Sequence, residues 1–380
     1  MKILIAGGGT GGHVFPGIAV AEELKRIRPA CGVVFVGTRR GLEAQAVPEA
    51  GFTIRFLAGC GFSRTRWWTW PWAALVNLVG LLQALVLVLT ENPSVVLGTG
   101  GYVSAPISFA ARLLGRPLIL QEQNSVPGLA NRLLSRIASE VHLSFLEARS
   151  YFSRRDHLKV TGNPVRAHIL TGDREAALRE FKLEPGRPTL FVFGGSLGAS
   201  RINEAALDML RRLKGRMEVQ CLLVTGRTEF EKVKAAVQKD ALPATVLPFV
   251  KKMHMAYAAT DLVVSRSGAM TLAEIAVCGL PAILVPYPHA AHDHQQDNAA
   301  NLVERGAAVL IPDAELNGER LAKDVARLLA DRPALSRMSS NARLFARPDA
   351  AERIARSLLR WAEGGGGEPA DEEPAAGGGR

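Results

Sequence analysis

The same arrangement opens both halves of this chain: a short apolar run, then a glycine-rich loop, then a helical stretch. In the first half Lys2–Ala6 leads into Gly7–Gly12, and in the second half Thr189–Phe193 leads into Gly194–Gly198. Apolar runs without polar alternation are typical of strands buried on both faces of a parallel sheet. Glycines after such a strand let backbone amides approach an anionic ligand at a helix N-terminus. The repeat therefore predicts an α/β protein with two doubly wound, Rossmann-like domains.

The pattern divides the 380 residues into two domains and a tail. We expect a first domain over 1–163 and a second over 164–344, with the linker near Asn163–Thr171. A C-terminal helix, about 345–363, is expected to pack back on the first domain, and the Gly/Pro/Ala-rich segment 364–380 to be disordered. The predicted strands are Lys2–Ala6, Val33–Gly37, Val95–Gly98, Leu118–Gln121, Thr189–Phe193, Cys221–Thr225, Thr245–Pro248, Asp261–Ser265 and Ala282–Pro286. The predicted helices include Pro16–Arg28, Asn203–Lys214 and Ala350–Trp361.

The charge balance favours anionic partners. The formal charge is +10, and the tail is acidic, so the folded part is more basic still. Phosphate-bearing substrates, nucleic acid and an anionic membrane all fit such a charge. We expect no nucleic acid, because the chain shows no aromatic-basic RNA motif and no helix-turn-helix signature. Four cysteines without CxxC spacing fit a reducing cytosol and no disulfide framework.

One stretch, Trp67–Thr90, contains no charged residue. By length it is compatible with a bilayer span, a core helix or a peripheral membrane patch. Polar residues interrupt it and it lies between two predicted strands, which favours the peripheral patch. Indoles and guanidiniums are the groups that anchor a protein at lipid headgroups. The residues expected to make this contact are Arg64, Arg66, Trp67, Trp68, Trp70 and Trp72.

The most informative segment for ligand chemistry is Ser265–Glu274. A predicted strand ends in a turn of small residues, and a helix begins near Gly268 or Ala269, so its free amides would face a diphosphate. Glu274 follows one to two turns later, where its carboxylate can accept hydrogen bonds from both hydroxyls of a ribose. The first glycine loop matches G-x-G-x-x-G, but the second strand is not followed by the acid that a nicotinamide site requires.

A metal centre is a less favoured alternative. His289, His292, Asp293 and His294 are residue types that ligate metals. However, the chain contains no Asp-x-Asp pair, which is the usual carboxylate source for a metal-bound diphosphate. We therefore expect helix N-termini and arginines to neutralise the diphosphate, with no metal and no cofactor. Gln295 and Gln296 can supply amide donors.

Six motifs, in order along the chain, resemble the bacterial GT-B glycosyltransferase family that transfers N-acetylglucosamine to lipid I. The resemblance runs from about Lys2 to Trp361. The motifs are Gly8–Pro16, Gly100–Ser104, Glu122–Asn124, Gly162–Arg166, Gly194–Ser196 and Ser265–Gly268.

The resemblance implies a fold, a reaction and a location. The fold is GT-B, two Rossmann-like domains facing across a cleft. The reaction is inverting transfer of N-acetylglucosamine from UDP-N-acetylglucosamine to the 4-hydroxyl of undecaprenyl-diphospho-N-acetylmuramoyl-pentapeptide (lipid I), giving lipid II and UDP in peptidoglycan synthesis. The location is peripheral, at the cytoplasmic face of the plasma membrane. A soluble sugar-nucleotide epimerase of the same architecture is the second hypothesis.

The resemblance also assigns site residues by motif. The residues near the acceptor or the reacting centre would be His13, Tyr102, Glu122 and Asn131. His13 is the first candidate for the catalytic base and Glu122 the second. The alternative role for His13 is to position the acceptor. Donor-binding residues would be Thr10, Gly11, Gly12, Asn124, Arg166, Ser196, Val250, Ala269, Met270, Thr271, Leu272, Ala273, Glu274 and Gln295.

Three departures from the family pattern are visible. Gln121 stands where some relatives have histidine, and Leu197 replaces a common glutamine. A longer insert before Gln295 leaves open whether Gln295 or Gln296 makes the nucleotide contact.

Overall fold

The computed structural model describes residues 1–61, 67–195, 198–288 and 294–366. The chain divides into two compact units. Unit 1 comprises Met1–Arg166 together with the segment from Pro348 onward, and unit 2 comprises Ala167–Arg347. The sequence placed the domain boundaries at 163/164 and near 344/345.

Unit 1 is built on a parallel sheet whose strands, within the described residues, follow the order β3-β2-β1-β4-β5-β6-β7. Helices cover both faces of the sheet, and each face has its own apolar core. The strands are β1 (Lys2–Gly7), β2 (Gly32–Gly37), β3 (Thr53–Phe56), β4 (Val95–Gly100), β5 (Leu118–Glu122), β6 (Glu140–Leu143) and β7 (Leu158–Val160). The helices are α1 (Gly11–Ile27), α2 (Glu43–Glu49), α3 (Trp70–Glu91), α4 (Ser104–Leu113), α5 (Leu129–Leu134) and, at the C-terminal end, α14 (Ala350–Ala362).

Unit 2 repeats the plan with the parallel order β10-β9-β8-β11-β12-β13 among its described residues. Its strands are β8 (Thr189–Phe193), β9 (Gln220–Val224), β10 (Ala244–Leu247), β11 (Leu262–Ser265), β12 (Ala282–Leu284) and β13 (Ala308–Leu310). Its helices are α6 (Arg174–Glu180), α7 (Ser200–Leu213), α8 (Phe230–Lys239), α9 (Met253–Ala258), α10 (Ala269–Cys278), α11 (His294–Glu304), α12 (Gly318–Ala330) and α13 (Arg332–Phe345).

The strand order positions the glycine loops. In unit 1 the chain reverses its direction across the sheet between β1 and β4, and in unit 2 between β8 and β11. Ligands of open α/β sheets bind at such switch points, beyond the carboxyl ends of the strands. The two predicted glycine loops follow β1 and β8 directly. The predicted fold class, two Rossmann-like α/β domains, is confirmed in its architecture.

The C-terminal helix α14 packs on unit 1 through Ile354, Ala355 and Leu358, which lie in the same apolar core as residues of α1. A buried carboxylate adds polar anchors: Glu140 accepts hydrogen bonds from Ser357 Oγ at 2.6 Å and Trp361 Nε1 at 3.2 Å.

The Glu140 carboxylate lies in a buried charged cluster. His142 Nε2 lies 2.9 Å and Lys159 Nζ 3.4 Å from its oxygens. Burial alone would raise the pKa of Glu140, but His142, Ser357 and Lys159 outweigh it and lower the pKa to about 2. Burial lowers the pKa of His142. The carboxylate is therefore the charged form that holds the helix at neutral pH.

Candidate functional site

The first glycine loop turns directly into α1, so that His13 lies in the first helical turn. Gly9 has φ +91°, a conformation that favours glycine. Thr10 is the extended N-cap residue, and its carbonyl accepts the first helical hydrogen bonds, from the amides of His13 and Val14. The helix therefore begins at Gly11, five residues before the predicted Pro16. Thr10, Gly11, Gly12 and His13 all lie at least partly exposed at this terminus.

A buried acid fixes the shape of this loop. The Glu43 side chain is fully buried. One carboxylate oxygen accepts the amide of Gly9 at 2.9 Å, and the other accepts the amide and hydroxyl of Thr38, each at 2.9 Å. The sequence analysis did not identify Glu43. The signal that could have found it is the pair of glycines, Gly37 and Gly41, on either side of the turn that precedes it. A Cβ on Gly41 would overlap the carboxylate, and a Cβ on Gly37 would overlap the Cγ atom of Glu43.

Tyr102, an acceptor-side residue by the resemblance, contacts the same loop. Its hydroxyl lies 3.5 Å from Thr38 Oγ1, and its ring lies beside Gly9. The loop after β4 approaches so closely that a Cβ on Gly101 would lie 2.4 Å from the Gly8 carbonyl. The structure thus brings His13 and Tyr102 to one switch point.

Glu122 is engaged by the protein itself. It is 2% exposed. One carboxylate oxygen accepts the Asn124 amide at 3.0 Å, and the other accepts the Gly128 amide at 3.1 Å and Asn131 Nδ2 at 2.9 Å. This carboxylate organises the loop after β5, which weakens its case as a base. Asn131 is also buried and braces that loop, while Asn124 remains partly exposed on it.

In unit 2, β11 ends in the turn Ser265–Gly268 and α10 follows at Ala269, as predicted. Gly268 is the N-cap residue, and the first helical hydrogen bond runs from the Leu272 amide to the Gly268 carbonyl. The preceding amides, of Ala269, Met270 and Thr271, have no intrahelical acceptor. The first turn carries no acid that would compete with an anion.

Glu274 lies in the second turn of α10 and is 8% exposed. Its Oε2 accepts the hydroxyl of buried Tyr257 at 2.8 Å. This bond holds the carboxylate in one position, and sequence reasoning did not identify Tyr257. In the same helix Ala273 is partly exposed, whereas Leu272 is completely buried and can offer only its backbone. The Val250 side chain is also buried.

Arg266 is a structural residue. Its guanidinium donates to the Asp313 carboxylate at 2.6 Å and to the carbonyls of Val285 and Pro286. Its guanidinium is therefore held within the protein, by a carboxylate that also lies 3.3 Å from Arg201 Nε. Gln295 is held close by, because Ser267 Oγ donates to its carbonyl and its Oε1 accepts the Tyr287 amide at 2.9 Å.

Several predicted residues lie outside the described residues: Ser196, Leu197, Arg64, Arg66, His289, His292 and Asp293. Among the residues that the structure describes, no group of three or more His, Cys, Asp or Glu side chains is placed to hold a metal ion. Arg166, at the end of unit 1, lies with its guanidinium 4.6 Å from the centre of the Phe15 ring, over α1.

The apolar stretch forms α3, the one helix in the described part of the chain that is long and apolar enough to cross a membrane. Its polar residues bind the loop after β3: Asn77 exchanges hydrogen bonds with the Cys60 backbone, and Gln83 accepts the Ala58 amide at 2.7 Å. Only a narrow stripe is buried, through Ala73, Gly80, Ala84 and Val88. The exposed face carries Trp70, Trp72, Leu75, Leu78, Val79, Leu82, Val86 and Leu89.

Comparison with known proteins shows the same two-part organisation. The Glycosyltransferase family 28 N-terminal domain matches residues 3–143, and the Glycosyltransferase family 28 C-terminal domain matches residues 189–354. A UDP-N-acetylglucosamine–N-acetylmuramyl-(pentapeptide) pyrophosphoryl-undecaprenol N-acetylglucosamine transferase of Moorella thermoacetica is 44% identical over 96% of this chain and 100% of the relative. A transferase of the same name from Thermodesulfovibrio yellowstonii is 43% identical over 95% of this chain and 99% of the relative.

Solved structures show the same fold over nearly the whole chain. The crystal structure of Acinetobacter baumannii MurG has a TM-score of 0.74 and 30% identity, covering 94% of this chain and 99% of that one. A UDP-N-acetylglucosamine 2-epimerase reaches a TM-score of 0.68 at 16% identity, covering 97% and 99%, which shows a shared fold alone.

Two Rossmann-like units with glycine loops after their first strands define a two-domain α/β architecture that MurG and a UDP-N-acetylglucosamine 2-epimerase share. The family matches decide between the two. The chain belongs to glycosyltransferase family 28 and, within it, to the MurG family.

Proposed function

We propose that this protein transfers N-acetylglucosamine from UDP-N-acetylglucosamine to the 4-hydroxyl of lipid I, giving lipid II and UDP in peptidoglycan synthesis. The observation that carries the proposal is the likeness to the Moorella thermoacetica transferase, 44% identical over the whole length of that relative. The alignment covers 96% of this chain.

The donor's nucleotide is assigned to α10. Its unpaired first-turn amides suit a diphosphate, and the fixed carboxylate of Glu274 suits two vicinal hydroxyls of a ribose. Arg266 is buried against Asp313, so we assign the diphosphate to the helix terminus rather than to Arg266. We propose that no metal and no cofactor takes part.

The chemistry is assigned to His13. In an inverting displacement, the acceptor oxygen forms a bond to the anomeric carbon while the bond from that carbon to the diphosphate oxygen breaks. The hydroxyl proton passes to the base, and UDP leaves with the bonding electron pair. His13 is partly exposed at the helix terminus, whereas both oxygens of Glu122 are occupied by protein donors, so the contacts support His13.

The membrane contact is assigned to the exposed face of α3. Trp68 and Trp72 are 62% and 68% exposed, and the leucines of that face continue the apolar surface. The helix packs beside α4, where Phe109 and Leu113 are also exposed. This geometry supports a membrane-facing patch rather than a core helix, and we propose that the patch is peripheral, at the cytoplasmic face of the plasma membrane.

Two arginines beside the exposed apolar residues of α4 supply positive charge. Arg112 on α4 and Arg136 after α5 line a cavity of about 520 Å³ together with Phe109, Leu113 and Ile137. Among the described residues neither has an acidic partner within ion-pair distance, so both are available to lipid phosphates.

The catalytic assignment is tested by paired variants. Transfer of radiolabel from UDP-N-acetylglucosamine to a lipid I analogue should fall about a hundredfold or more in kcat for His13→Ala. Binding of UDP, measured by calorimetry, should change little. Glu122→Gln keeps one acceptor oxygen but turns an NH2 group toward a protein donor, so it should lower stability while losing less kcat than His13→Ala. A large loss in Glu122→Gln with normal activity in His13→Ala would reverse the assignment.

A further inference from the structure

The imidazole of His13 meets two acceptor oxygens on one side. Its Nδ1 lies 3.1 Å from the Thr99 carbonyl oxygen and 3.1 Å from Gln123 Oε1. A carbonyl oxygen cannot donate a hydrogen bond, so the contact with Thr99 is made only when Nδ1 carries a proton. The position of that proton then depends on which end of the Gln123 amide faces the ring.

The orientation of the Gln123 amide is fixed by its other neighbours. Gln123 is 2% exposed. Its Nε2 donates to the Thr99 carbonyl at 2.6 Å and lies against both the carbonyl oxygen and Oε1 of Gln121. Reversing the amide would direct Oε1 at these three oxygens, which a buried site disfavours strongly. Gln123 Oε1 therefore faces His13.

Gln121 is oriented by the next layer. It is completely buried, and its Nε2 donates to Ser144 Oγ at 3.1 Å and Asn163 Oδ1 at 3.2 Å. Its Oε1 is thus left as an acceptor for Gln123. The two amides form a directed chain of hydrogen bonds that ends at the imidazole.

The backbone also confines the ring. Gly100 has φ +102°, and a Cβ there would lie 2.8 Å from His13 Nδ1. Thr99 Oγ1 donates to the His13 carbonyl at 2.7 Å. The ionisable groups on neighbouring elements are Glu43, Tyr102 and Glu122, and none of them is hydrogen-bonded to the imidazole among the described residues.

We propose that Gln123 is a positioning residue that, with the Thr99 carbonyl, keeps a proton on His13 Nδ1 and leaves the lone pair of the neutral ring on Nε2. The proposal rests on the proposed function for its catalytic meaning. The nitrogen that takes the acceptor's proton is then Nε2, and the imidazolium formed keeps its Nδ1–H bonded to Gln123. The orientation of one buried amide thereby selects the basic atom.

The first test reads the tautomer without any substrate. Full-length protein with ¹⁵N-labelled histidine is examined by long-range ¹H–¹⁵N correlation at pH 8, and the His13 signals are assigned by their loss in His13→Gln. We expect protonated Nδ1 and unprotonated Nε2. A protonated Nε2 in the neutral ring would overturn the proposal, whether or not the protein transfers N-acetylglucosamine.

The second test separates positioning from mere folding. Gln123→Met removes the acceptor from the imidazolium, so the pH midpoint of the His13 titration should fall, and Gln123→Glu places a carboxylate there, so the midpoint should rise, each by roughly half a unit or more. We expect kcat for Gln123→Met to fall at least tenfold with little change in KM. Gln45→Met, at an exposed glutamine on α2, is the matched control.

Identical midpoints in wild type and both folded Gln123 variants would contradict the role. If either variant fails to fold, the wild-type tautomer still decides the proposal. Absence of transfer activity in a wild-type protein with the expected tautomer would count against the proposed function alone.

Discussion

Replacing Glu274 by glutamine should weaken UDP binding about tenfold to a hundredfold. The carboxylate is nearly buried, and one of its oxygens accepts the Tyr257 hydroxyl at 2.8 Å. We propose that the ribose hydroxyls donate to this same carboxylate. Hydrogen bonds to a charged acceptor contribute about 1.5–3 kcal/mol, and each 1.4 kcal/mol is about tenfold in affinity.

Calorimetry with UDP and with 2′-deoxyuridine diphosphate gives the measurement. In the wild type the deoxy ligand should bind more weakly than UDP, and in Glu274→Gln the two ligands should bind more nearly alike. Tyr257→Phe keeps the carboxylate, so its UDP affinity should stay within about threefold although its stability falls by about 1 kcal/mol. Glu304→Gln, at an exposed acid on α11, is the matched control.

Two outcomes would refute the reasoning. Unchanged UDP affinity in a folded Glu274→Gln variant would remove the ribose assignment. An equal loss for both ligands, with the wild-type ratio between them preserved, would show that Glu274 acts on another part of the nucleotide.

Three further predictions concern metal, membrane and pH. Transfer should persist in excess chelator, and complete loss restored by Mg²⁺ or Mn²⁺ would contradict charge neutralisation by the helix terminus. Carbonate should release the protein from membranes, and retention after carbonate would favour a spanning helix. The double variant Arg112→Glu/Arg136→Glu should bind phosphatidylglycerol vesicles at least several-fold more weakly than the wild type. The same charge change at exposed Arg216 and Arg337 should leave vesicle binding unchanged. Because the pKa of Glu140 is lowered in the folded protein, its carboxylate stabilises the fold above about pH 4.5, and this contribution should be lost as the pH falls towards 2. Glu140→Gln should therefore flatten the decline of the melting temperature over that range. An unchanged pH profile would contradict the anchoring role.

The strands that the sequence predicted well are those made of continuous apolar residues. Buried parallel strands such as β1 and β8 have no polar face, so composition alone identifies them. The edge strand β3 is half exposed, and β6 carries buried Glu140 and His142, so neither shows an apolar run. The buried charge of β6 depends on partners far away in the chain, such as Ser357.

The residues of the candidate site also differ in how far the sequence could predict them. The turn Ser265–Gly268 and Glu274 could be predicted because a local pattern, strand to small residues to helix, carries the chemistry. Glu43 and Gln123 could not, because their roles arise from contacts with loops that follow other strands. Glu122 shows the reverse case: a suitable residue type in a motif, yet with both oxygens bound by its own loop.

The identity of the product tests the central claim most directly. The full-length protein is incubated with UDP-N-acetylglucosamine labelled with ¹³C at the anomeric carbon and with a lipid I analogue, and the label is followed by NMR. We predict that it appears in a β-linked disaccharide on the lipid analogue, with one UDP released for each linkage. Label that remains on the nucleotide and appears as the 2-epimer, with no lipid-linked disaccharide, would contradict the account and indicate an epimerase.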